Sequence, residues 1–327
     1  MSKLLEVKNL KKWFPVKSYS LTGKKAYVKA VDDVSFAVEE GETFGIVGES
    51  GCGKSTLGRT IAKLIQPTEG NVIFDGADIT RLDNKQMRSV RRHMQIMFQD
   101  PYASLDPRMT IANIIAEPMD TMKTVKNSEE KLSRVVELME VCGINKAFLN
   151  RYPHEFSGGQ RQRIGIARAL SVMPKLVICD EPVSALDVSI QSQIINLLMD
   201  LQRRYNLTLI FISHDLGVVE YISSRVMVMY LGKIVEAADK KELFSNPAHP
   251  YTRALLRSIP EIGKKKFEDE APILEGDIPS PVNPPSGCAF HTRCPEACAE
   301  CSSVVPVLKP VKDGHLVSCI KLNQVIQ

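Results

Sequence analysis

The sequence carries little net charge of either sign. Its 327 residues include 42 Lys and Arg against 38 Asp and Glu, which leaves a formal net charge of only +4. This balance gives no reason to expect nucleic-acid binding driven by bulk electrostatics. Charged residues make up 24% and hydrophobic residues 44%, the usage of ordinary globular proteins, which argues against general disorder. The length is compatible with one large domain and an appendage.

Long apolar segments are also missing. No apolar run approaches the roughly 20 residues that a membrane-spanning helix needs, and the longest candidates, such as VMVMYL at 226–231, have the length of a strand. The first residues, MSKLLEVKNLKKW, show no apolar core before a small-residue cleavage site, so they are unlike a secretory signal. We therefore expect a cytosolic chain, or one that reaches a membrane only through a partner.

The first 260 residues alternate strand-like and helix-like segments. Apolar runs at 43–47, 176–179 and 207–212 are typical of strands in a sheet that is covered on both faces. Between the last two, apolar residues at helical spacing over 188–201 indicate an amphipathic helix. The alternation predicts an α/β fold with a largely parallel sheet.

The composition changes after residue 260. A charged spacer at 263–266 precedes an extended segment whose prolines, at 279, 281, 284 and 285, exclude a helix. Five of the 8 cysteines then fall between 288 and 319. We predict one domain over 1–260 and a second over 261–327. In a reducing cytosol, such a cysteine cluster more often binds metal than forms disulfides.

Residues 48–55, GESGCGKS, fit the phosphate-loop pattern GxxxxGK[ST] and lie between a predicted strand and a predicted helix. The glycines let backbone N–H groups face a phosphate, and the helix N-terminus adds the positive end of its dipole. Lys54 would reach the β- and γ-phosphates of a nucleotide, and the Ser55 hydroxyl would ligate Mg²⁺. The other nucleotide-binding candidates of this loop are Gly48, Ser50, Gly51, Cys52, Gly53 and Thr56.

Two adjacent carboxylates end the apolar run at 176–179. Asp180 could lie near a metal ion, and Glu181 could orient or deprotonate an attacking water. Adjacent acids at a strand end could also form a solvated turn, but the phosphate loop earlier in the chain favours a hydrolytic site.

A second glycine-containing anion site follows at 156–160, FSGGQ, before a basic helical run at 161–170. At this point the chain resembles the ATP-binding subunits of ABC transporters, whose signature is LSGGQ, with Phe156 in place of the usual Leu. The resemblance covers about residues 4–260 and includes Gln99, SALD at 184–187 and SHD at 213–215, in the family's order. It implies a P-loop NTPase of the ABC type: a RecA-like core with a mostly parallel sheet, an N-terminal antiparallel β part and a helical subdomain at about 100–170.

The resemblance also implies residue roles. Phe14, or alternatively Trp13, would stack on adenine; His214 would hydrogen-bond the γ-phosphate; Gln99 would join Ser55 and Asp180 around Mg²⁺. Two cassettes pack head to tail in this family, so one set of residues would act on the nucleotide bound mainly by the partner. These residues are Ser157, Gly158 and Gly159, and Gln160 and Asp187 are further candidates for ATP binding. Residues 100–105 would lie beside the groove that receives a membrane subunit.

Three further stretches narrow the resemblance to oligopeptide and dipeptide importers: HPYTRALL at 249–256, NPPSGC at 283–288 and YPHE at 152–155. The layout is closest to the second of their two ATPases. The implied partners are a second homologous ATPase in a heterodimer, two transmembrane permease subunits and, indirectly, an external peptide-binding protein, with no nucleic acid. The implied location is peripheral, on the cytoplasmic face of the cell membrane. Uptake of nickel, glutathione or sugar remains an alternative, as does a soluble ATPase of the superfamily acting on ribosomes or DNA.

The C-terminal cysteines most consistent with a metal site are Cys288, Cys294, Cys301 and Cys319, with Cys298 left over. Their spacing is longer than that of ordinary zinc sites and does not match plant-type ferredoxins. Spacing alone indicates only a thiolate metal site. Resemblance to the importer tails favours a 4Fe-4S cluster with a stapling role, and zinc or free thiols are the alternatives.

Overall fold

The computed structural model describes residues 2–16, 26–100, 102–257 and 276–324. In these ranges the strands are β1 (Lys3–Val16), β2 (Ala26–Glu39), β3 (Thr43–Val47), β4 (Glu69–Phe74), β5 (Ala77–Asp78), β6 (Met94–Met97), β7 (Leu176–Asp180), β8 (Thr208–Ile212), β9 (Arg225–Tyr230), β10 (Lys233–Asp239), β11 (Lys309–Lys312) and β12 (His315–Val317). The helices are α1 (Lys54–Ile61), α2 (Met87–His93), α3 (Ile111–Met122), α4 (Ser128–Val141), α5 (Gly158–Leu170), α6 (Val188–Tyr205), α7 (Leu216–Ile222), α8 (Lys240–Ser245), α9 (Pro250–Arg257) and α10 (Ile320–Gln324).

The larger sheet has the strand order β11-β12-β10-β9-β3-β8-β7-β6. Its centre is parallel, because β3 pairs in parallel with β8 and β9, and β7 pairs in parallel with β6 and β8. The remaining pairs, β9 with β10, β10 with β12 and β12 with β11, are antiparallel. The predicted α/β fold with a mostly parallel sheet is therefore confirmed.

The central strands are apolar throughout because each face of the sheet meets a different hydrophobic core. Successive side chains of a strand point to opposite faces. In β7, Val177 and Cys179 pack with the helices of the middle region, whereas Ile178 packs with the N-terminal strands and α1. Continuous apolar runs are the expected pattern for strands that are covered on both faces.

The smaller sheet is antiparallel, with the order β2-β1-β4-β5, and it agrees with the expected N-terminal β part. Helices α3, α4 and α5 contact one another and cover the other face of the larger sheet. Within the described residues, no helix combines the length and apolarity that crossing a bilayer requires.

Residues 276–324, which we name the C-terminal segment, join the larger sheet rather than forming a separate layer. Strand β12 pairs with β10, where Glu236 lies opposite Val317. The Phe290 ring is buried against the rings of Tyr230 and Tyr251. The predicted boundary at residue 260 and the charged spacer at 263–266 lie outside the described residues.

Candidate nucleotide-binding site

The loop between β3 and α1 has the backbone of a phosphate cradle. Gly53 caps α1 with φ of 106°, and Gly48 has φ of 150°, values in the region that favours glycine. A Cβ at Gly53 would lie 1.9 Å from the Ala30 carbonyl oxygen, and one at Gly48 would lie 2.3 Å from that of Met229. Both positions therefore exclude any side chain, which explains the glycines of the motif.

Lys54, the first residue of α1, points back into this loop. Its Nζ donates hydrogen bonds to the carbonyl oxygens of Gly48, at 2.8 Å, and Glu49, at 3.1 Å. Only 4% of Lys54 is exposed. The neighbouring Cys52 is also buried, and burial raises the pKa of its thiol, so it stays neutral beside the ammonium group. The loop thus holds one buried positive charge, suited to a phosphate.

Ser55 and Asp180 meet next to the loop. The Ser55 hydroxyl donates to Asp180 Oδ1 at 2.6 Å, and Arg59 lies 3.3 Å from Asp180 Oδ2. Asp180 is fully buried at the end of β7. A hydroxyl and a carboxylate are the oxygen ligands that Mg²⁺ prefers. This pair fits the metal predicted from the sequence.

Two further predicted residues, Gln99 and His214, approach the same carboxylate oxygen of a third, Glu181. Gln99 Nε2 donates to Glu181 Oε2 at 3.1 Å, and His214 Nδ1 lies 3.3 Å from the same oxygen. Glu181 adopts a left-handed backbone, with φ of 49°, and its N–H donates to the Ile212 carbonyl oxygen at 3.0 Å. The three side chains come from three different segments, which the parallel strands bring to the same sheet edge.

A cavity of about 860 Å³ joins these groups. Ten predicted residues line it: Phe14, Ser50, Gly51, Gly53, Lys54, Ser55, Thr56, Gln99, Glu181 and His214. Of the two aromatic candidates, Phe14 lines the cavity, whereas the Trp13 indole N–H donates to Asp32 Oδ1 at 3.2 Å. The backbones of Gly48 and Cys52 belong to the adjoining loop, and Asp180 lies behind Ser55.

The signature residues do not reach this cavity in the single chain. Ser157 caps α5 and forms a capping box with Gln160: its hydroxyl accepts from the Gln160 N–H at 3.4 Å, and the Gln160 side chain accepts from the Ser157 N–H at 3.0 Å. Gly158 and Gly159 form the first turn of α5. Asp187 caps α6 by accepting from the Ile190 N–H at 3.0 Å. Ser157 and Asp187 are exposed helix caps.

Sequence reasoning missed several residues of the cavity wall, namely Val28, Lys29, Ala30, Leu231, Gly232 and Pro281. Pro281 belongs to the C-terminal segment. Its carbonyl oxygen accepts a hydrogen bond from the Lys29 N–H at 3.3 Å, on the strand that pairs with Phe14. The prolines at 279–285 predicted an extended segment but did not indicate where it lies in the fold. The contact of Pro281 with Lys29 joins residues that are far apart in the sequence.

The prediction of a 4Fe-4S cluster on Cys288, Cys294, Cys301 and Cys319 is wrong. All four residues are described, and within the described ranges no group of three or more His, Cys, Asp or Glu side chains could hold a metal ion. The zinc alternative fails for the same reason. All four, like Cys298, are free cysteines.

The physical reason is that two of these thiols pack as small hydrophobic side chains. Cys288 and Cys294 pack against the larger hydrophobic core. Burial raises the pKa of Cys288, and it raises that of Cys294 to about 11, so the neutral thiol is favoured over the thiolate that binds metals. Cys298 and Cys301 face each other within one 3-10 turn, with 3.4 Å between their sulfur atoms.

Two proteins similar in sequence are named as transport ATP-binding proteins, in agreement with a nucleotide site. Residues 31–184 match the ABC transporter family, and residues 235–301 match the oligopeptide/dipeptide transporter C-terminal region. The chain is 55% identical over 320 residues to the oligopeptide transport ATP-binding protein AppF of Bacillus subtilis, covering 97% of this chain and 96% of AppF. It is 53% identical over 318 residues to the putative oligopeptide transport ATP-binding protein YkfD of the same organism, covering 97% and 94%.

Solved structures with the same fold include two ATP-binding cassettes. The cassette MJ0796, in a dimeric post-hydrolysis state bound to ADP and Pi, has a TM-score of 0.63 at 29% identity and covers 72% of this chain and 98% of its own. CbiO1 of Clostridium perfringens, part of an ABC transporter complex, has a TM-score of 0.64 at 28% identity and covers 75% and 92%.

Proposed function

The chain belongs to the ATP-binding subunits of oligopeptide and peptide ABC transporters, and from this premise we propose that it hydrolyses ATP in the cavity beside the phosphate loop to drive peptide import. Both relatives named above bear the name of oligopeptide transport ATP-binding proteins, YkfD as a putative one, and residues 235–301 match the oligopeptide/dipeptide transporter C-terminal region. These matches favour peptides over nickel, glutathione or sugar, and favour a transporter over an ATPase of ribosomes or DNA.

One observation carries the proposal: the hydrolytic groups and the phosphate loop meet in one cavity. Lys54 supplies a buried positive charge, and polar atoms of Gln99 and His214 lie within 3.3 Å of Glu181 Oε2 in the same cavity. A phosphoryl transfer site needs charge stabilisation on one side and an oriented water on the other. The cavity provides both.

Ser55 and Asp180 would hold Mg²⁺, with Gln99 completing the protein ligands. The ion supplies charge neutralisation for the β- and γ-phosphates. The Ser55–Asp180 hydrogen bond already brings the two oxygen donors within 2.6 Å of each other. Lys54 would release the carbonyl oxygens of Gly48 and Glu49 and bind phosphate oxygens, which are stronger charge-assisted partners.

Glu181 would orient and deprotonate the attacking water. Its carboxylate is only 13% exposed and accepts a hydrogen bond from Gln99. His214 would donate to the γ-phosphate, since its ring lies beside the same carboxylate and at the cavity wall. Phe14, which lines the same cavity, would stack on the adenine.

A second, homologous ATPase subunit would complete the site. Ser157, Gly158, Gly159 and Gln160 form the start of α5, whose N–H groups suit a phosphate. Ser157 and Asp187 are exposed and lie outside this chain's own cavity, so a facing cassette would present them to the nucleotide of its partner. The dimeric state of the neighbour MJ0796 supports this arrangement.

The complex would also contain two transmembrane permease subunits, and indirectly an external peptide-binding protein, with this chain peripheral on the cytoplasmic face of the membrane. Within the chain, we propose that the ABC domain ends near residue 260 and that its helical subdomain spans about 100–170. Residues 100–105 would contact a permease. The C-terminal region match, at 235–301, crosses this boundary, which agrees with strand β10 holding both parts together.

The test compares ATP binding and ATP turnover in Glu181→Gln. The variant keeps the phosphate loop, so we expect unchanged binding of Mg²⁺-ATP and at least a ~100-fold loss of turnover in the complex reconstituted with its permeases. Lys54→Ala should lose both ATP binding and ATP turnover. Glu220→Gln, an exposed carboxylate of α7 outside the cavity, is the matched control. Near-normal ATPase activity of Glu181→Gln would overturn the role of Glu181.

A further inference from the structure

The C-terminal segment reaches the phosphate loop through one arginine. Arg293 Nη1 lies 2.8 Å from Glu49 Oε2, and Nη2 lies 3.1 Å from Glu49 Oε1. This two-bond geometry is the strongest form of a guanidinium–carboxylate pair. The side chain of Arg293 is 6% exposed and that of Glu49 is 21% exposed, so solvent screens the pair weakly.

Glu49 is held from a second direction by α9. Its backbone N–H donates to the Tyr251 hydroxyl at 3.0 Å, and Tyr251 is fully buried. The Tyr251 ring packs against Tyr230 and Phe290, and the Arg293 guanidinium lies 5.9 Å from the centre of the Tyr230 ring. The side chain and the backbone of Glu49 are therefore both fixed by residues outside the loop.

The contacts continue from Glu49 to the lysine of the motif. The Glu49 carbonyl oxygen accepts a hydrogen bond from Lys54 Nζ at 3.1 Å. Glu49 occupies one of the variable positions of the GxxxxGK[ST] pattern, so the motif itself demands no side chain there. A contact that fixes this position also fixes the backbone on which Lys54 and the phosphate must fit.

We propose that Arg293 is a positioning residue for ATP, and that the C-terminal segment thereby sets the conformation of the phosphate loop. The proposal rests on the nucleotide site proposed above. Arg293 does not line the cavity, and it acts through Glu49. Small displacements of groups that bind phosphate are costly, so loosening this loop weakens nucleotide binding. Pro281 of the same segment lines the cavity, which makes the segment part of the site at two points.

The experiment measures binding of Mg²⁺-AMP-PNP to the full-length chain by isothermal titration calorimetry. The variants are Arg293→Met, Arg293→Lys, Glu49→Gln and the double variant Arg293→Met/Glu49→Gln. Glu296→Gln is the matched control. Glu296 forms an ion pair with Arg253 of α9, so this substitution removes another ion pair between the C-terminal segment and the rest of the chain. Thermal unfolding is recorded for each protein.

We expect Arg293→Met and Glu49→Gln each to raise the dissociation constant by about tenfold, and Arg293→Lys to recover part of the loss. The double variant should bind no more weakly than either single variant, since both break the same contact. With permeases present, the KM for ATP should rise while kcat changes little. Glu296→Gln should bind like the wild type even if its unfolding temperature falls.

Three results would overturn the proposal: unchanged nucleotide binding in folded Arg293→Met and Glu49→Gln, additive losses in the double variant, or an equal loss in Glu296→Gln. Glu49→Gln keeps the proposal testable if Arg293→Met does not fold. Failure of the proposed function is distinguishable, because in that case the wild-type chain itself would not bind Mg²⁺-AMP-PNP, or Lys54→Ala would bind it equally well.

Discussion

Glu181 adopts a left-handed backbone, with φ of 49°, directly after a strand whose five residues are all buried. For a residue with a Cβ this conformation costs about 1–2 kcal/mol. The turn directs the carboxylate toward Gln99 and His214 instead of along the strand. Strain of this kind concentrates at functional sites, where the surrounding structure holds it in place.

This strain predicts a difference between two variants that both lack the carboxylate. Glu181→Gly relieves the left-handed conformation, whereas Glu181→Ala keeps it. The relief of about 1–2 kcal/mol exceeds the extra unfolded-state entropy of glycine, about 0.4–1 kcal/mol. We expect Glu181→Gly to be about 0.5–1 kcal/mol more stable than Glu181→Ala in urea unfolding. Both should lack ATP turnover, and an alanine variant of equal or higher stability would contradict the argument.

Residue-scale prediction from sequence succeeds where spacing is local. The phosphate loop needs only a glycine pattern between a strand and a helix, and the structure builds that loop at 48–55. The preference for Phe14 over Trp13 comes from the family resemblance. Strand alternation cannot decide between them, because the pairing of β1 with β2 shifts register between Lys12 and Trp13. Such an irregularity breaks the alternation of faces on which that choice would depend.

At the scale of one element, two of the three glycines of helix α5 have opposite surroundings. A Cβ at Gly165 would meet nothing within 4 Å, and its φ lies outside the left-handed region. A Cβ at Gly159 would lie 2.4 Å from Ile190 Cγ2, where α5 approaches α6. Gly165 therefore only destabilises α5, whereas the close packing of α5 against α6 requires Gly159.

We expect Gly165→Ala to stabilise the protein by about 0.5–1 kcal/mol, since alanine has less backbone freedom to lose on forming a helix. Gly159→Ala is the paired variant, and it should destabilise because the new methyl group pushes Ile190 away. Urea unfolding of the full chain measures both effects. A stabilising Gly159→Ala, or a destabilising Gly165→Ala, would refute the packing argument.

Some strands can be predicted from local sequence patterns, and others cannot. The buried strands β3, β7 and β8 are continuous apolar runs, and the expected segments agree with them. Strands β11 and β12 were not predicted, because β11 reads KPVK and has the polar composition of a loop. Their strand conformation comes from the pairing of β12 with β10 and of β11 with β12, contacts that no local pattern encodes.

At the scale of the whole molecule, the C-terminal segment illustrates the limit of spacing arguments. The five cysteines suggested a metal-stapled appendage, yet the segment is attached by strand pairing, by the Phe290 ring and by ion pairs such as Lys312–Glu242. Cysteine spacing is the same whether thiols face a metal or pack against a core. The side chains that surround each thiol separate the two cases, and these depend on the complete fold.

A buried histidine–carboxylate pair lies where the C-terminal segment joins the larger sheet. His315 Nε2 of β12 lies 2.6 Å from Glu236 Oε1 of β10, and both residues are buried. The other faces of this site carry Glu242, 3.7 Å from His315 Nδ1, and Lys312, which pairs with Glu242. The hydrogen bond to Glu236 raises the pKa of His315 above its ordinary value, despite the opposing effect of burial.

Because the folded pKa of His315 is raised, its contribution to stability is complete below the unfolded pKa of about 6.5 and is lost as the pH rises through the folded value. We expect His315→Gln to be less stable than the wild type by about 1–2 kcal/mol near pH 6, with the gap narrowing toward pH 9. The stability contribution of His249 depends on pH in the opposite direction. Burial lowers the pKa of His249 to about 4, so its contribution to stability falls as the pH drops below about 6.5. Urea unfolding of His315→Gln and His249→Gln, from below the folded pKa of His249 of about 4 up to pH 9, separates the two histidines. A stability difference between His315→Gln and the wild type that does not change with pH would show that the pairing of β10 with β12 does not depend on the charged His315–Glu236 pair.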